Sequence, residues 1–221
     1  MAETMVLVLW VLLAATLIRL ITARSGNVKG VTVGPHTVEN QGCSPMCWAH
    51  AISKVLRFAM LRIVSQEGGV PSFAAIRDAI IADYGPKPPN VPFDDILHAV
   101  VPPYRFRFQK ISGKRILEAV RQGRAVLTRF DLVSLDGSKK KYPNGSANDE
   151  WSRFSSKAGT RVMQREDVQI PELNGPLQGH AVVLVAAAPG SVTFLNFWGS
   201  QWGDRGHFHV ADFEVLRNMQ F

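Results

Sequence analysis

Two apolar runs near the C-terminus constrain the fold most. The run "HAVVLVAAA" at 180–188 is followed by a Pro-Gly turn and by "SVTFLNFWG" at 191–199, a pattern typical of a β-hairpin. We predict a further strand at 207–213. Because the apolar periodicity earlier in the chain is helical, this order predicts an α+β protein rather than a doubly wound sheet.

The predicted helices come before these strands. After Cys47, apolar residues recur at intervals of three and four, so we expect a helix that ends before Gly68, Gly69 and Pro71. Residues 134–178 lack such periodicity, and we predict long loops there, with one short strand at 161–163. The remaining predicted elements are helices at 73–84, 94–101 and 116–122 and a strand at 125–132.

The composition excludes some classes of protein. The 221 residues, 46% of them hydrophobic, are enough for one domain or for two small lobes around a cleft. The two cysteines, Cys43 and Cys47, would close only a very small loop if bridged, so the fold must depend on packing. The net charge is +7, but the densest basic run, at 139–141, has loop composition without interleaved aromatic residues. We therefore do not expect nucleic acid as a partner.

An apolar run covers residues 5–18 and is interrupted by Arg19. It is short for a membrane span, which needs about 17–25 residues, and small residues at 21–23 suit a cleavage site. We predict that residues 1–23 are a signal peptide or a membrane anchor and that residues 24–221 form the folded domain.

The two readings of this segment predict different locations. A signal peptide predicts the secretory pathway, with a vacuole, a lysosome or the extracellular space as destination. An anchor at residues 5–21 would keep the protein at a membrane, and the positive charges that follow the run favour a cytoplasmic body. An extension without a targeting role is the third reading.

Cys47 is a candidate nucleophile. It lies at a predicted helix start, where the free N–H groups and the helix dipole favour a thiolate. His180 begins the hairpin whose second strand reaches Asn196, so the imidazole can act as a base that the amide oxygen orients. The side chain of Gln41, six residues before the thiol, can join the Cys47 N–H as an oxyanion-hole donor.

Two other readings of the cysteines have less support. Cys43, Cys47 and His50 have some resemblance to a zinc site, but the spacing lacks a second close pair and a structural site needs four ligands. Cys47 could also be a small buried hydrophobic residue. We interpret Cys43 as a free thiol.

The stretches "QGCSPMCWAHA", "GHAVVLV" and "NFWGSQWGDRGHFHV" resemble the motif blocks of the papain-like cysteine peptidases, and the resemblance covers about residues 26–213. It implies an N-terminal helical lobe and a C-terminal antiparallel β lobe with the active-site cleft between them. It also implies roles for particular residues: Cys47 as nucleophile, His180 as base, Asn196 as orienting amide, Gln41 in the oxyanion hole, Trp198 as the indole that shields the His–Asn pair, and Gly68 and Gly69, within "EGGVP", as substrate-binding residues.

The resemblance implies a cysteine-type peptidase that hydrolyses peptide or protein substrates through an acyl-enzyme, without metal or organic cofactor. The chain departs from the family pattern at Phe197, where a small residue is usual, and it lacks the family's disulfides. No inhibitory propeptide fits into the residues before Gln41. Two alternatives therefore stay open: a binding module on the same fold, and an acyl transferase or deamidase that uses the same triad.

Overall fold

The computed structural model describes residues 31–32, 37–63, 69–86, 92–135, 149–159 and 161–221. All of them belong to one structural unit, Val31–Phe221. Three parts of the sequence predictions lie outside the described residues: the signal or anchor at 1–23, Gly68, and the basic run at 139–141. None of the described helices combines the length and the hydropathy that crossing a membrane requires.

The described elements follow the α+β order that the sequence predicts, with helices before most of the strands. They are β1 (Val31–Thr32), α1 (Cys47–Leu61), α2 (Phe73–Tyr84), α3 (Phe93–Val100), a 3₁₀ turn (Pro102–Tyr104), α4 (Lys114–Arg121), β2 (Val126–Val133), α5 (Glu150–Lys157), α6 (Arg165–Val168), β3 (Leu177–Ala188), β4 (Ser191–Leu195), β5 (His207–Val210) and β6 (Arg217–Gln220).

The described strands form one antiparallel sheet in the order β5-β4-β3-β2-β6, with β1 pairing at the far end of β3. Strand β3 is central, since it pairs with β2 along 177–184 and with β4 along 183–188. Side chains alternate between the two faces of a strand. Residues 180 and 181 of β3 therefore point to opposite faces of the sheet.

Each face of the sheet has its own apolar core. Ala181, Val183 and Val185 pack with the buried face of α1 on one side. Val182 and Leu184 pack on the other side with aromatic residues and with the buried residues of α4 and α5. Helices thus cover both faces, and burial of each large apolar side chain contributes about 1.5–3 kcal/mol to this packing.

The helix boundaries have local causes. The Ser72 side chain accepts a hydrogen bond from the Ala75 N–H at 3.1 Å and caps α2, and Gly85, with a φ of 79°, ends it. Helix α1 has no side-chain cap at its start. It ends at Leu61, earlier than the glycine pair that was expected to end it.

The prediction of long loops over 134–178 is wrong for Glu150–Lys157 and Arg165–Val168, which form α5 and α6, and residues 136–148 lie outside the described part of the chain. Helix α5 begins because the Asp149 carboxylate caps it, accepting from the Ser152 N–H at 2.8 Å. The strand predicted at 161–163 is reduced to a single parallel bridge between Met163 and Val210. The strand predicted at 207–213 ends at Val210, and the sequence did not predict β6.

Candidate active site

Cys47 is the first residue of α1, and its side chain lies against strand β3. The backbone N–H groups of Ala181, Trp48 and Cys47 itself lie close enough to the sulfur to lower the pKa of the thiol. Cys47 also packs against the apolar core on this face of the sheet. The thiol is therefore close to the residue that directly follows His180 in β3. The His180 side chain points to the other face of the sheet and does not contact the sulfur in this arrangement.

The loop before Cys47 is held in place by hydrogen bonds. The Gln41 N–H donates to the Phe197 carbonyl at 2.8 Å, and Gln41 Nε2 donates to the Ser44 carbonyl at 2.9 Å. Gly42, at a φ of 62°, donates its N–H to Asn40 Oδ1 at 2.8 Å. The Gln41 amide thus uses one N–H proton internally, which leaves the second N–H for a ligand.

Burial raises the pKa of the Cys47 thiol above its usual value. Backbone hydrogen bonds from Ala181 and Trp48 and the positive charge of Arg129 lower it only in part. The start of α1 does favour the thiolate, since the Trp48 N–H lowers the pKa of Cys47, but burial raises the pKa by more. The sulfur is too far removed from water for a few N–H dipoles to offset the loss of hydration.

His180 and Asn196 form a buried hydrogen-bonded pair. His180 Nε2 lies 2.8 Å from Asn196 Oδ1, and both side chains are buried. Because an amide oxygen can only accept, Nε2 carries the proton and Nδ1 of the neutral ring is an acceptor. The backbone N–H of Asn196 donates to the Gly206 carbonyl at 2.9 Å, which fixes the chain just after β4.

Three aromatic rings surround the imidazole of His180. The Trp198 ring lies at a centroid distance of 5.0 Å with an interplanar angle of 32°. Phe130 and Trp151 each lie at 5.6 Å in edge-on orientation. These rings restrict the imidazole to one orientation and exclude water from it.

Desolvation by this aromatic environment lowers the pKa of His180 to about 4, although the hydrogen bond to Asn196 acts in the opposite direction. Burial thus opposes the imidazolium just as it opposes the Cys47 thiolate. A single charge in either group is costly, whereas opposite charges formed together would stabilise each other.

The remaining predicted residues lie in different surroundings. Gly69 is exposed, and a Cβ added there would meet no atom within 4 Å. Phe197 is fully buried in the core on the α1 side, with its ring 5.6 Å from that of His50. Its bulk is therefore accommodated inside the protein.

The surroundings of the two cysteines bear on the alternative readings, and the packing of Cys47 against the apolar core is what the reading as a small hydrophobic residue expects. Cys43 is an exposed free thiol, and Cys47 is half-buried and unbridged. His50 is buried, and its Nδ1 lies 3.1 Å from the Met46 carbonyl. Within the described ranges, no three His, Cys, Asp or Glu side chains are grouped closely enough to hold a metal ion.

Sequence reasoning missed two contributors to this site, Trp151 and Arg129. Trp151 lies on α5, in a stretch predicted to be loop. Asp149 followed by apolar residues at 151 and 154 was the available signal, since a capping residue before apolar residues three apart indicates a short helix. Arg129 lies on a correctly predicted strand, but only the register with β3 relates it to the thiol.

No family model and no curated protein matches this chain. Among solved structures, it is similar to xylellain, a cysteine protease from Xylella fastidiosa, with a TM-score of 0.43 and 14% sequence identity. The alignment covers 89% of this chain and 86% of that one. Similarity at this level carries no argument about activity.

Proposed function

We propose that this protein is a papain-like cysteine-type peptidase that hydrolyses peptide bonds in peptides or proteins. The observation that carries the proposal is the contact between the Cys47 sulfur and the backbone N–H next to His180, whose ring is hydrogen-bonded to Asn196. The motif blocks around these residues, in the same order as in the family, support it further. The cleft would lie between the α1 side and the β3–β4 hairpin.

In the proposed reaction, the side chains of Cys47 and His180, which lie on opposite faces of β3 here, come together, and His180 takes the proton from Cys47. Asn196 occupies Nε2, so Nδ1 is the atom that receives the proton. The sulfur then attacks the carbonyl carbon of the scissile bond, and the imidazolium donates its proton to the leaving amine. Water, activated by the same imidazole, hydrolyses the acyl-enzyme. General acid–base catalysis of this kind contributes about 10²–10⁴-fold.

Gln41 would stabilise the oxyanion together with the Cys47 N–H. Its bond to the Ser44 carbonyl fixes the amide, and one N–H remains to donate. A fixed donor costs little reorganisation when charge develops on the substrate oxygen. Loss of one such donor typically costs about 2.7–4 kcal/mol of transition-state stabilisation.

The proposal is tested with a fluorogenic peptide library and a thiol-directed epoxide. We expect turnover and epoxide labelling at Cys47, both lost in Cys47→Ala. The exposed Cys43 offers a matched control, since Cys43→Ala removes a thiol without touching the site. An unlabelled Cys47 in folded protein would contradict the proposal and favour a binding module. Transfer of the acyl group to added amine acceptors, without hydrolysis by water, would indicate an acyl transferase instead.

A further inference from the structure

Arg129 is the charged residue that the sheet register brings to the nucleophile. It lies on β2 directly opposite Ala181 of β3, and Asp131 lies opposite Gly179. Ala181 is the residue whose N–H contacts the Cys47 sulfur. Because paired residues of antiparallel strands share a face, Arg129 lies on the Cys47 side of the sheet.

Helix α1 covers this face of β2 before Arg129, and the face becomes accessible to solvent at Arg129. Two residues earlier, Leu127 still packs against the core on the α1 side. The Arg129 side chain, in contrast, is 43% exposed. The guanidinium is thus accessible at the point where the covered part of the sheet ends beside Cys47.

Gly179 determines where the Arg129 guanidinium lies. A Cβ at Gly179 would be 3.0 Å from both Nε and Nη2 of Arg129 and 3.2 Å from Asp131 Oδ1. The missing side chain therefore lets the guanidinium rest against the backbone of β3, one residue before His180. Its position is set by the strand rather than by free rotation into solvent.

Asp131 neutralises this charge only in part. Its Oδ1 lies 3.6 Å from Arg129 Nη2, beyond hydrogen-bond distance, and its Oδ2 accepts from Asn218 Nδ2 at 3.1 Å. The Asp131 side chain is 15% exposed, so the guanidinium is the more accessible of the two groups. Among the described residues, none accepts a hydrogen bond from the Arg129 guanidinium.

We propose that Arg129 selects substrates with a carboxylate side chain next to the scissile peptide bond, so that the preferred substrates are acidic peptides. The inference rests on the proposed peptidase function and adds the substrate class. A guanidinium binds a carboxylate with two parallel hydrogen bonds, which a neutral isosteric amide cannot match. The net charge of +7 would also attract acidic peptides.

The test compares fluorogenic peptides that carry Glu or Gln at each of two positions on either side of the scissile bond. At one of these positions, we expect the Glu peptide to have a kcat/KM about tenfold higher than its Gln partner. This effect is near the lower end for a charge-assisted hydrogen bond, because Arg129 is partly exposed. A preference for Gln or Lys over Glu at every position would overturn the inference.

Variants connect the preference to the guanidinium. Arg129→Gln should bring the Glu-to-Gln ratio close to one, Arg129→Lys should keep an intermediate ratio, and Asp131→Asn should raise the ratio by removing the competing charge. Arg124→Gln, an exposed change earlier in the same segment, is the matched control and should leave the ratio unchanged. Circular dichroism establishes that each variant is folded.

The outcomes separate this inference from the proposed function. If Cys47 is labelled by a neutral epoxide and Gln peptides are cleaved as well as Glu peptides, the inference is wrong and the peptidase proposal stands. The inference is also wrong, and the peptidase proposal unaffected, if the preference for Glu over Gln persists in Arg129→Gln. If Cys47 is neither labelled nor required for turnover, the proposed function itself is wrong.

Discussion

His180 donates a hydrogen bond of 2.8 Å from Nε2 to Oδ1 of Asn196, and both residues are buried. The pair links β3, the central strand of the sheet, to Asn196, which directly follows β4. It fixes the tautomer of the imidazole and directs Nδ1 away from the amide.

Asn196→Ala should lower activity more than it lowers stability. Without the amide oxygen the imidazole loses its fixed orientation, and misplacement of a catalytic group by about 1 Å costs about 100-fold in kcat. The unpaired buried Nε2–H should cost about 1–3 kcal/mol in the free energy of unfolding. Kinetics and urea unfolding measure the two effects.

Asn196→Asp is the matched control for this change. It keeps an acceptor but adds a buried negative charge, which should raise the pKa of His180 and shift the acidic limb of the activity profile to higher pH. An Asn196→Ala enzyme with unchanged kcat would contradict the role assigned to the hydrogen bond.

Trp151 should control the pKa of His180. Its ring contacts the imidazole at 5.6 Å, and Trp151→Ala would admit water, so the pKa of His180 should rise from about 4 toward its usual range. The cavity should also cost about 3–5 kcal/mol in the free energy of unfolding. NMR titration of the imidazole, with histidine labelling, measures the pKa.

Two further tryptophan variants separate this effect from loss of packing. Trp202 packs on Trp198 at 4.8 Å and has no ring contact with His180, so Trp202→Ala should destabilise the fold but leave the pKa of His180 unchanged. Trp151→Phe keeps a ring and removes a buried N–H that has no partner among the described residues, so its stability should change by only about 1 kcal/mol. Equal pKa values in Trp151→Ala and the parent protein would be inconsistent with the account.

The burial of His180 should be visible in acid stability when no thiolate can form. In Cys47→Ala, the folded pKa of His180 is about 4, below its usual value of 6.5, so the unfolded chain binds more protons between these pH values. Stability should therefore decrease as pH falls from about 6.5 to about 4, with a loss of about 3 kcal/mol from this group.

The double variant Cys47→Ala/His180→Asn isolates this contribution, because it lacks only the titrating ring. Urea unfolding at a series of pH values should give a flatter curve for the double variant than for Cys47→Ala. If the two curves are parallel, His180 is not desolvated in the folded protein.

Glu150 should be the most important ionised group for the stability of the site. Its fully buried carboxylate accepts from the Val133 and Ile170 N–H groups at 3.0 and 2.9 Å and pairs with Arg217. Burial alone would raise the pKa of Glu150, but the hydrogen bonds and the Arg217 charge together lower it. The stabilisation is thus present above the usual glutamate pKa and is lost as pH falls through the lowered value.

Removal of this carboxylate should cost about 3–5 kcal/mol in Glu150→Ala, since Arg217 and two backbone donors lose their acceptor. The exposed pair Arg77–Asp78 is the matched control, and Asp78→Asn should change stability by about 1 kcal/mol or less. Thermal unfolding compares the two, and equal effects would show that Glu150 does not anchor α5.

The sequence predicted those parts of the fold whose signals are local. Helix α2 has the predicted bounds because Ser72 caps it and Gly85 ends it. The hairpin pattern likewise brings His180 and Asn196 together. In contrast, the four residues of β6 have no apolar alternation and become a strand only by pairing with β2.

The chemistry of the site was less accessible to sequence reasoning. The raised pKa of Cys47 depends on how deeply the core on the α1 side covers the sulfur, which no motif specifies. The position of Arg129 depends on its register with β3 and on the missing side chain of Gly179. Both are consequences of tertiary packing.

The most direct test of the central claim is the pH dependence of Cys47 alkylation by iodoacetamide, in a Cys43→Ala background, with and without His180→Ala. With His180 present, we expect a thiolate that reacts rapidly well below the raised pKa of the isolated thiol. Without it, the rate should fall about tenfold for each pH unit below that pKa. Superimposable profiles for the two proteins would contradict the claim that His180 and Cys47 form their charges together.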